Sequence, residues 1–280
     1  MGAELSRRRL LAGGAAALSA AALPAGRRAQ AAELTDILWA RKIRAVVPDF
    51  DSPPFFSGPG TRVTGIDIDI LRDLGTALGA EIVFDRAPKT FNEAVAVLAN
   101  GDADIAVCKL SRTLNRGRII RYSQPYARLN HGLILNRVRF ADMARGREAE
   151  EVIRGFEGEL GVIANSSFAE FAPRSFPKAR IREFDSWPRL GEAIRAGNVD
   201  AAYRDEFEIK KLMVDDPSLT IVARSVSLTD LTDTIGIGIG PRAPDLAAYV
   251  DLFLQLTNRS RALTADEIIA RYGAGGHRAG

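Results

Sequence analysis

Two stretches of this chain share one internal spacing. Residues 91–106 read helix, Gly101, Asp104, apolar strand, and residues 187–202, placed 96 positions later, read helix, Gly197, Asp200, apolar strand. A repeated helix-to-strand unit restricts the fold to an α/β architecture with two similar lobes. Strands separated by crossover helices imply mainly parallel sheets, whose ligand sites lie at the carboxyl ends of the strands. Residues 108–116 and 203–208 follow those strands, and chemistry is expected there.

The flanking pattern agrees. Residues 43–47 form an apolar run stopped by Pro48-Asp49, as a buried strand would be, and residues 64–68 read as a second extended stretch. Ile70, Leu71, Leu74, Ala77 and Leu78 recur at helical spacing until Gly79, and Ser57-Gly58-Pro59-Gly60 is a turn. A strand is predicted over 81–84. Thr90-Phe91-Asn92-Glu93 has the form of a capping box opening a helix that runs to Ala99 and closes at Asn100-Gly101. The charged stretch 143–151 is read as a solvated surface insertion.

Near the start, Ser6-Arg7-Arg8-Arg9-Leu10-Leu11 precedes a small-residue apolar run over 12–23 and then Ala29-Gln30-Ala31. Basic, apolar and A-x-A segments in that order make a signal peptide over 1–31, and the paired arginines give it the twin-arginine form. The run is too short and too broken by Gly13, Gly14 and Ser19 for the roughly 20 residues of a membrane helix. Cleavage near Ala31 is expected to leave a free, soluble periplasmic protein that has passed the twin-arginine export machinery.

The net charge of +3 becomes −1 when five arginines and Glu4 of the leader are set aside. The basic balance therefore gives no argument for nucleic acid. Cys108 is the only cysteine, which excludes an internal disulfide. Stability must come from one or two apolar cores, which a mature chain of roughly 250 residues can supply.

Residues 109–116, Lys-Leu-Ser-Arg-Thr-Leu-Asn-Arg, bring hydroxyls, backbone amides and guanidinium groups together. A guanidinium fork binds a carboxylate with two parallel hydrogen bonds, so Arg116 is a natural anchor for an acid. Asp205, in the second unit, can accept from an ammonium. An arginine on one lobe and an aspartate on the other would recognise an α-amino acid zwitterion.

The run Gly101-Asp102-Ala103-Asp104-Ile105-Ala106, then Ser111-Arg112-Thr113 with Arg116, then Tyr122-Ser123-Gln124-Pro125-Tyr126, resembles the family 3 extracellular solute-binding proteins that serve polar amino acid ABC transporters. Pro53-Pro54-Phe55, Gly65-Ile66-Asp67-Ile68-Asp69-Ile70, Gly161-Val162 with Ser166-Ser167, Gly197-Asn198-Val199-Asp200-Ala201 and Gly236-Ile237-Gly238-Ile239 fall in the family's order. The resemblance spans about residues 42–273. It implies a periplasmic binding protein type II-like fold, with lobe 1 over 33–130 plus 231–280 and lobe 2 over 131–230. The hinge would cross near Leu129 and Leu231, and a monomer delivering an amino acid to an ABC permease is expected.

By the same resemblance, Arg116 grips the α-carboxylate, helped by Ser111, Thr113, Ser166 and Ser167. Asp205 and Asp49 hold the α-ammonium, and Phe91 packs against the ligand side chain. The chain departs from the family at Ser52, where an aromatic is usual, and at Cys108 and Lys109, where small or uncharged residues are usual. The ligand is expected to be an acidic or polar amino acid; Lys109 either favours a second carboxylate, and hence an acidic amino acid or another anionic ligand, or points to solvent or pairs with Asp205 or Asp49.

Two rival readings share the fold. One is a cyclohexadienyl dehydratase, with Glu206 or Glu208 as the cleft acid; the other is a ligand sensor for a membrane receptor. No cofactor or metal is expected: Asp67 and Asp69 read as helix caps or dipole partners, Gly236-x-Gly-x-Gly240 as a strand, and His131 and His277 support neither a zinc site nor a Ser-His-Asp triad.

Overall fold

The computed structural model describes residues 32–272, so the leader and His277 lie outside the described residues. In chain order the first elements are α1 (Leu34–Ala40), β1 (Lys42–Val46), α2 (Ile66–Leu78), β2 (Glu81–Asp85), α3 (Phe91–Asn100), β3 (Ile105–Ala106), α4 (Leu114–Gly117) and β4 (Arg121–Tyr122). There follow β5 (Ala127–Asn136), α5 (Arg137–Ala144), α6 (Ala149–Arg154), β6 (Glu159–Ile163), α7 (Ser167–Ser175), β7 (Arg180–Phe184), α8 (Trp187–Arg195), β8 (Ala201–Asp205) and α9 (Glu206–Asp215). The chain closes with α10 (Leu219–Val222), β9 (Ala223–Ile235), β10 (Gly238–Ile239), α11 (Pro244–Leu256) and α12 (Ala265–Tyr272).

The strands form two five-stranded sheets, ordered β2-β1-β3-β10-β4 and β7-β6-β8-β5-β9. In each sheet the crossover-linked strands pair in parallel and two further pairings are antiparallel, so parallel pairing makes up half of each ladder. The antiparallel half comes from β10 and from the long pair β5 and β9, which run against their neighbours without a covering crossover helix. Ala127 faces Ile235 and Leu135 faces Arg224, with a register shift after Asn130↔Thr232 that leaves residues 229–231 unmatched.

The repeated unit has the same construction twice. Asp104 accepts from the backbone amide of Arg44 at 2.8 Å and from its guanidinium Nη2 at 2.6 Å. Asp200 accepts from the amide of Glu159 at 2.7 Å and from Arg139 Nε at 2.6 Å. Each aspartate thus ties the loop before its strand to a neighbouring strand, with charge-assisted bonds on both oxygens. The helices before them end alike, with Gly101 at φ 85 and Gly197 at φ 70.

Local signals explain the first sheet's helices. The Thr90 side chain accepts from Glu93 N, while the Glu93 carboxylate reaches Lys89 N at 2.8 Å, one residue before the cap. The stretch 64–68, expected to be extended, is helical from Ile66 onward. Gly65 sits at φ 129 with the Phe55 carbonyl 2.3 Å from where a Cβ would stand, and this sharp corner ends the extended segment at Thr64. The stretch 143–151, expected as a solvated insertion, runs from the end of α5 into α6; residues 145–148, 150 and 151 are exposed, while Met143 packs on the second sheet's core.

Ile43, Leu71, Leu98 and Ile105 lie in one apolar cluster around the first sheet. Two clusters flank the second sheet, one with Leu133, Phe156 and Tyr203, the other with Ile134, Leu190 and Ile209. Phe207 of α9 belongs to the first sheet's cluster, meeting Phe55 edge-on at 5.6 Å.

Candidate ligand-binding site

Residues 108–116 leave β3 and run along β9. Arg112 N donates to Thr234 O at 2.9 Å, Gly236 N donates to Leu110 O at 3.0 Å, and Ser111 bridges Ile235. Lys109 takes a left-handed turn at φ 51, held by Asp67 Oδ2, which accepts its amide at 2.5 Å. Tyr126 donates to the other oxygen of Asp67 at 2.8 Å. Burial pushes the Asp67 carboxyl up to about 7 against the pull of those two bonds.

Arg116 lies in α4, whose first turn is capped by the Thr113 hydroxyl accepting from Arg116 N at 3.3 Å. Arg116 is 5% exposed as a residue, and its guanidinium is fixed from two sides. Nε and Nη2 donate to Asn92 Oδ1 at 3.1 and 2.9 Å, and Nη1 donates to Ser111 O at 3.2 Å. Beyond these bonds each terminal nitrogen has one further N–H, and two such donors are what a carboxylate takes. Tyr122 donates to the same Ser111 carbonyl at 3.0 Å.

The second sheet's unit meets this segment through hydroxyls and ions. Ser166 caps α7, its Oγ accepting from Ala169 N at 3.3 Å and donating to Ile163 O at 2.6 Å. Ser167, the next residue, donates to Ser111 Oγ at 2.8 Å, and Ser111 Oγ donates to Asp233 Oδ2 at 2.7 Å. Lys109 Nζ reaches Asp205 at 3.1 Å and Glu208 at 2.6 Å, and stands 4.9 Å from the Phe55 ring centroid. Of the outcomes open for Lys109, pairing with Asp205 is the one seen, and its charge is matched inside the protein. Burial works to raise the Glu208 carboxyl, but the Lys109 and Arg204 charges outweigh it and hold it well below the usual range.

Ser111, Thr113, Arg116 and Ser167 are therefore joined in one network, Lys109 and Asp205 form a separate buried ion pair, and Ser166 caps the helix that carries Ser167. The others stand to the side. Asp49 is half exposed and committed to Lys89 at 2.7 Å and Arg86 at 3.7 Å. Ser52 is buried, and its Oγ makes no hydrogen bond. Phe91 meets Phe50 edge-on at 5.2 Å, and Phe50 lies 5.5 Å from Phe56, so rings cluster beside the position where Ser52 lacks one.

Sequence reasoning missed Asn92, Phe50 and Asp233. Asn92 stands in the stretch Thr90-Phe91-Asn92-Glu93, whose residue types signal only a helix start. Asp233 had a signal: alternation through Asp233, Ile235 and Ile237 puts an acid on an inward face, and Asp233 is 2% exposed. His131 is buried beside Phe168 and Phe171 with Nδ1 against the Tyr203 hydroxyl, and burial lowers it to about 4, so it is a neutral core ring.

A two-sheet protein with an anion fork and an internal polar seam at the strand ends has the design of a solute clamp. Residues 45–210 match the model of the bacterial extracellular solute-binding proteins, family 3, and the chain belongs to that family. It is 26% identical over 235 residues to a probable histidine-binding protein of Neisseria gonorrhoeae, covering 82% of this chain and 83% of that one. It is 21% identical over 162 residues to the glutamate-binding protein GluB of Corynebacterium glutamicum, covering 56% of this chain and 53% of the other. The solved structure of the solute receptors for L-cysteine of Neisseria gonorrhoeae superposes with a TM-score of 0.65 at 18% identity, covering 87% and 96% of the two chains. That of AncCDT-1, an ancestral amino acid-binding protein and precursor of cyclohexadienyl dehydratase, gives 0.62 at 21%, covering 85% and 97%. These likenesses show the periplasmic binding protein type II-like α/β fold. Among the described residues no helix is long and apolar enough to cross a membrane.

Proposed function

We propose that the protein captures an α-amino acid between its two sheets and hands it to an ABC transporter permease outside the cytoplasm. The observation that carries this reading is the Arg116 guanidinium, buried, braced by Asn92 and Ser111, with one N–H on each terminal nitrogen left over for a carboxylate. Ser111 and Ser167 add hydroxyls from the two sheets, so a bound acid would tie them together. The relatives named for histidine and glutamate binding support an amino acid as the cargo. The sheets are the cores of two lobes, residues 33–130 plus 231–280 and residues 131–230. Opening would bend the β5–β9 pair where its register breaks, beside Leu129 and Leu231. Residues 1–31 would direct twin-arginine export and be removed near Ala31, leaving a monomer in the periplasm.

The test is calorimetry and thermal shift of residues 32–280 against the twenty L-amino acids. Binding of one class at micromolar or tighter affinity supports the reading, and the absence of binding across the panel sinks it.

A dehydratase requires a cleft group that can donate a proton. Glu208 is held ionised on Lys109, and Glu206 accepts from Asn130 N at 3.2 Å while lying 3.4 Å from Lys210. Asp233 is the cleft carboxyl raised toward neutrality, to about 7, by burial. Turnover of prephenate or arogenate that Asp233→Asn abolishes would favour the enzyme. No turnover favours the binder.

A further inference from the structure

The ammonium site that the family resemblance assigns to Asp205 is filled by the protein itself. Lys109 Nζ lies 3.1 and 3.3 Å from the two oxygens of Asp205 and 2.6 Å from Glu208, with the Phe55 and Phe207 rings 4.9 and 5.5 Å away. Carboxylates and ring faces around one nitrogen are what an ammonium calls for. Asp205 Oδ1 is further used by Glu208 N at 3.0 Å. A second ammonium there would face a like charge.

Another carboxylate is linked to the arginine anchor through Ser111. Asp233 is 2% exposed; its Oδ2 accepts from Ser111 Oγ at 2.7 Å, and its Oδ1 is buried and accepts no hydrogen bond. Such an oxygen costs stability where it sits, which is expected of an acceptor kept for a partner. Ser111 links it to the anchor, because the Ser111 carbonyl accepts from Arg116 Nη1 at 3.2 Å. Asp233 and Arg116 thus flank one residue. An α-amino acid carries its ammonium and carboxylate on a single carbon and requires opposite charges placed side by side.

We propose that Asp233, not Asp205, accepts the α-ammonium of the bound amino acid, and that Lys109 closes the Asp205–Glu208 pocket against it. This assignment rests on the amino acid reading above. It makes the protein a zwitterion reader whose two charge contacts both lie on the Ser111 segment and on β9, while the lysine trio serves to join the two sheets.

The experiment measures, by calorimetry, the best-binding L-amino acid and the same acid without its amino group, in the wild type and in Asp233→Asn and Asp205→Asn. In the wild type the amino group should improve affinity, and Asp233→Asn should lower amino acid affinity at least about 30-fold while leaving the des-amino acid little changed. The thermal midpoint of unliganded Asp233→Asn should be no lower than that of the wild type, an outcome a purely structural aspartate would not give. Retention of the amino-group preference in Asp233→Asn, with its loss in Asp205→Asn, overturns the assignment. A wild type that binds no amino acid overturns the amino acid reading, and the assignment with it.

Discussion

Lys109 and Asp205 stand 96 residues apart, at corresponding positions of the two repeated units, and their side chains meet at 3.1 Å. The segment after β3 and the last residue of β8 thus supply the two halves of an ion pair between the two sheets. Glu208 joins it at 2.6 Å, and the side chains of all three residues are almost wholly buried.

Removing the cation should be costly. Lys109→Met leaves Asp205 and Glu208 buried without their shared partner, and loss of about 3 to 5 kcal/mol is expected in urea unfolding. The triple variant Lys109→Met, Asp205→Asn, Glu208→Gln should recover much of that loss, since no unpaired charge remains. A single variant as stable as the wild type would mean that the trio is exposed in solution.

Arg116→Ala should abolish ligand binding, because the ligand carboxylate is then desolvated without a partner at a cost of roughly 2 to 5 kcal/mol. Arg116→Lys should also bind weakly, having lost the planar fork that Asn92 and Ser111 orient. Calorimetry on both variants checks this, and undiminished affinity in Arg116→Ala would remove the arginine from the site.

Asn92→Ala probes orientation alone. The Asn92 side chain accepts from Arg116 Nε and Nη2 yet sits on the exposed face of α3. Stability should change by less than about 0.5 kcal/mol while affinity falls several-fold. Equal affinity in the variant would show that Ser111 alone holds the guanidinium.

The pH dependence follows from two buried carboxyls. Asp67 and Asp233 are raised by burial from an ordinary 3.8 to about 7. Asp233 faces Ser111, Asp205, Lys109 and Arg116, and the serine bond and the two cations hold the rise back. Between those values the folded state keeps protons that the unfolded chain has released, so stability falls as pH rises from about 4 to about 7. Glu208 has the opposite sign, its contribution being lost as pH falls below its ordinary 4.5. Unliganded protein should therefore melt highest near about pH 4, and Asp233→Asn should flatten the decline toward pH 7. A thermal midpoint that climbs steadily from pH 5 to 8 would contradict the burial of both groups.

Much of this was legible in the chain itself, wherever the deciding contacts are close in sequence. The Thr90 cap, the left-handed Gly79 and Gly101 ends and the period of Ile70, Leu71, Leu74 and Leu78 concern neighbours within a turn or two, so residue types specify them directly. The repeat of Asp104 and Asp200 announced two similar units, and their matching bonds to adjoining strands show why the spacing recurs. Arg116 could be picked out because a guanidinium among hydroxyls after a strand has few other uses. Which charges face one another was settled only by the tertiary fold. Asp233 meets Ser111 across 122 positions and Lys109 meets Glu208 across 99, through the register of β9 and the packing of α9. Coulomb and hydrogen-bond energies depend on separations of a few ångströms and on burial. A linear pattern carries neither, so Asp49 and Asp205 looked equivalent until packing left one half exposed on Lys89 and buried the other against Lys109.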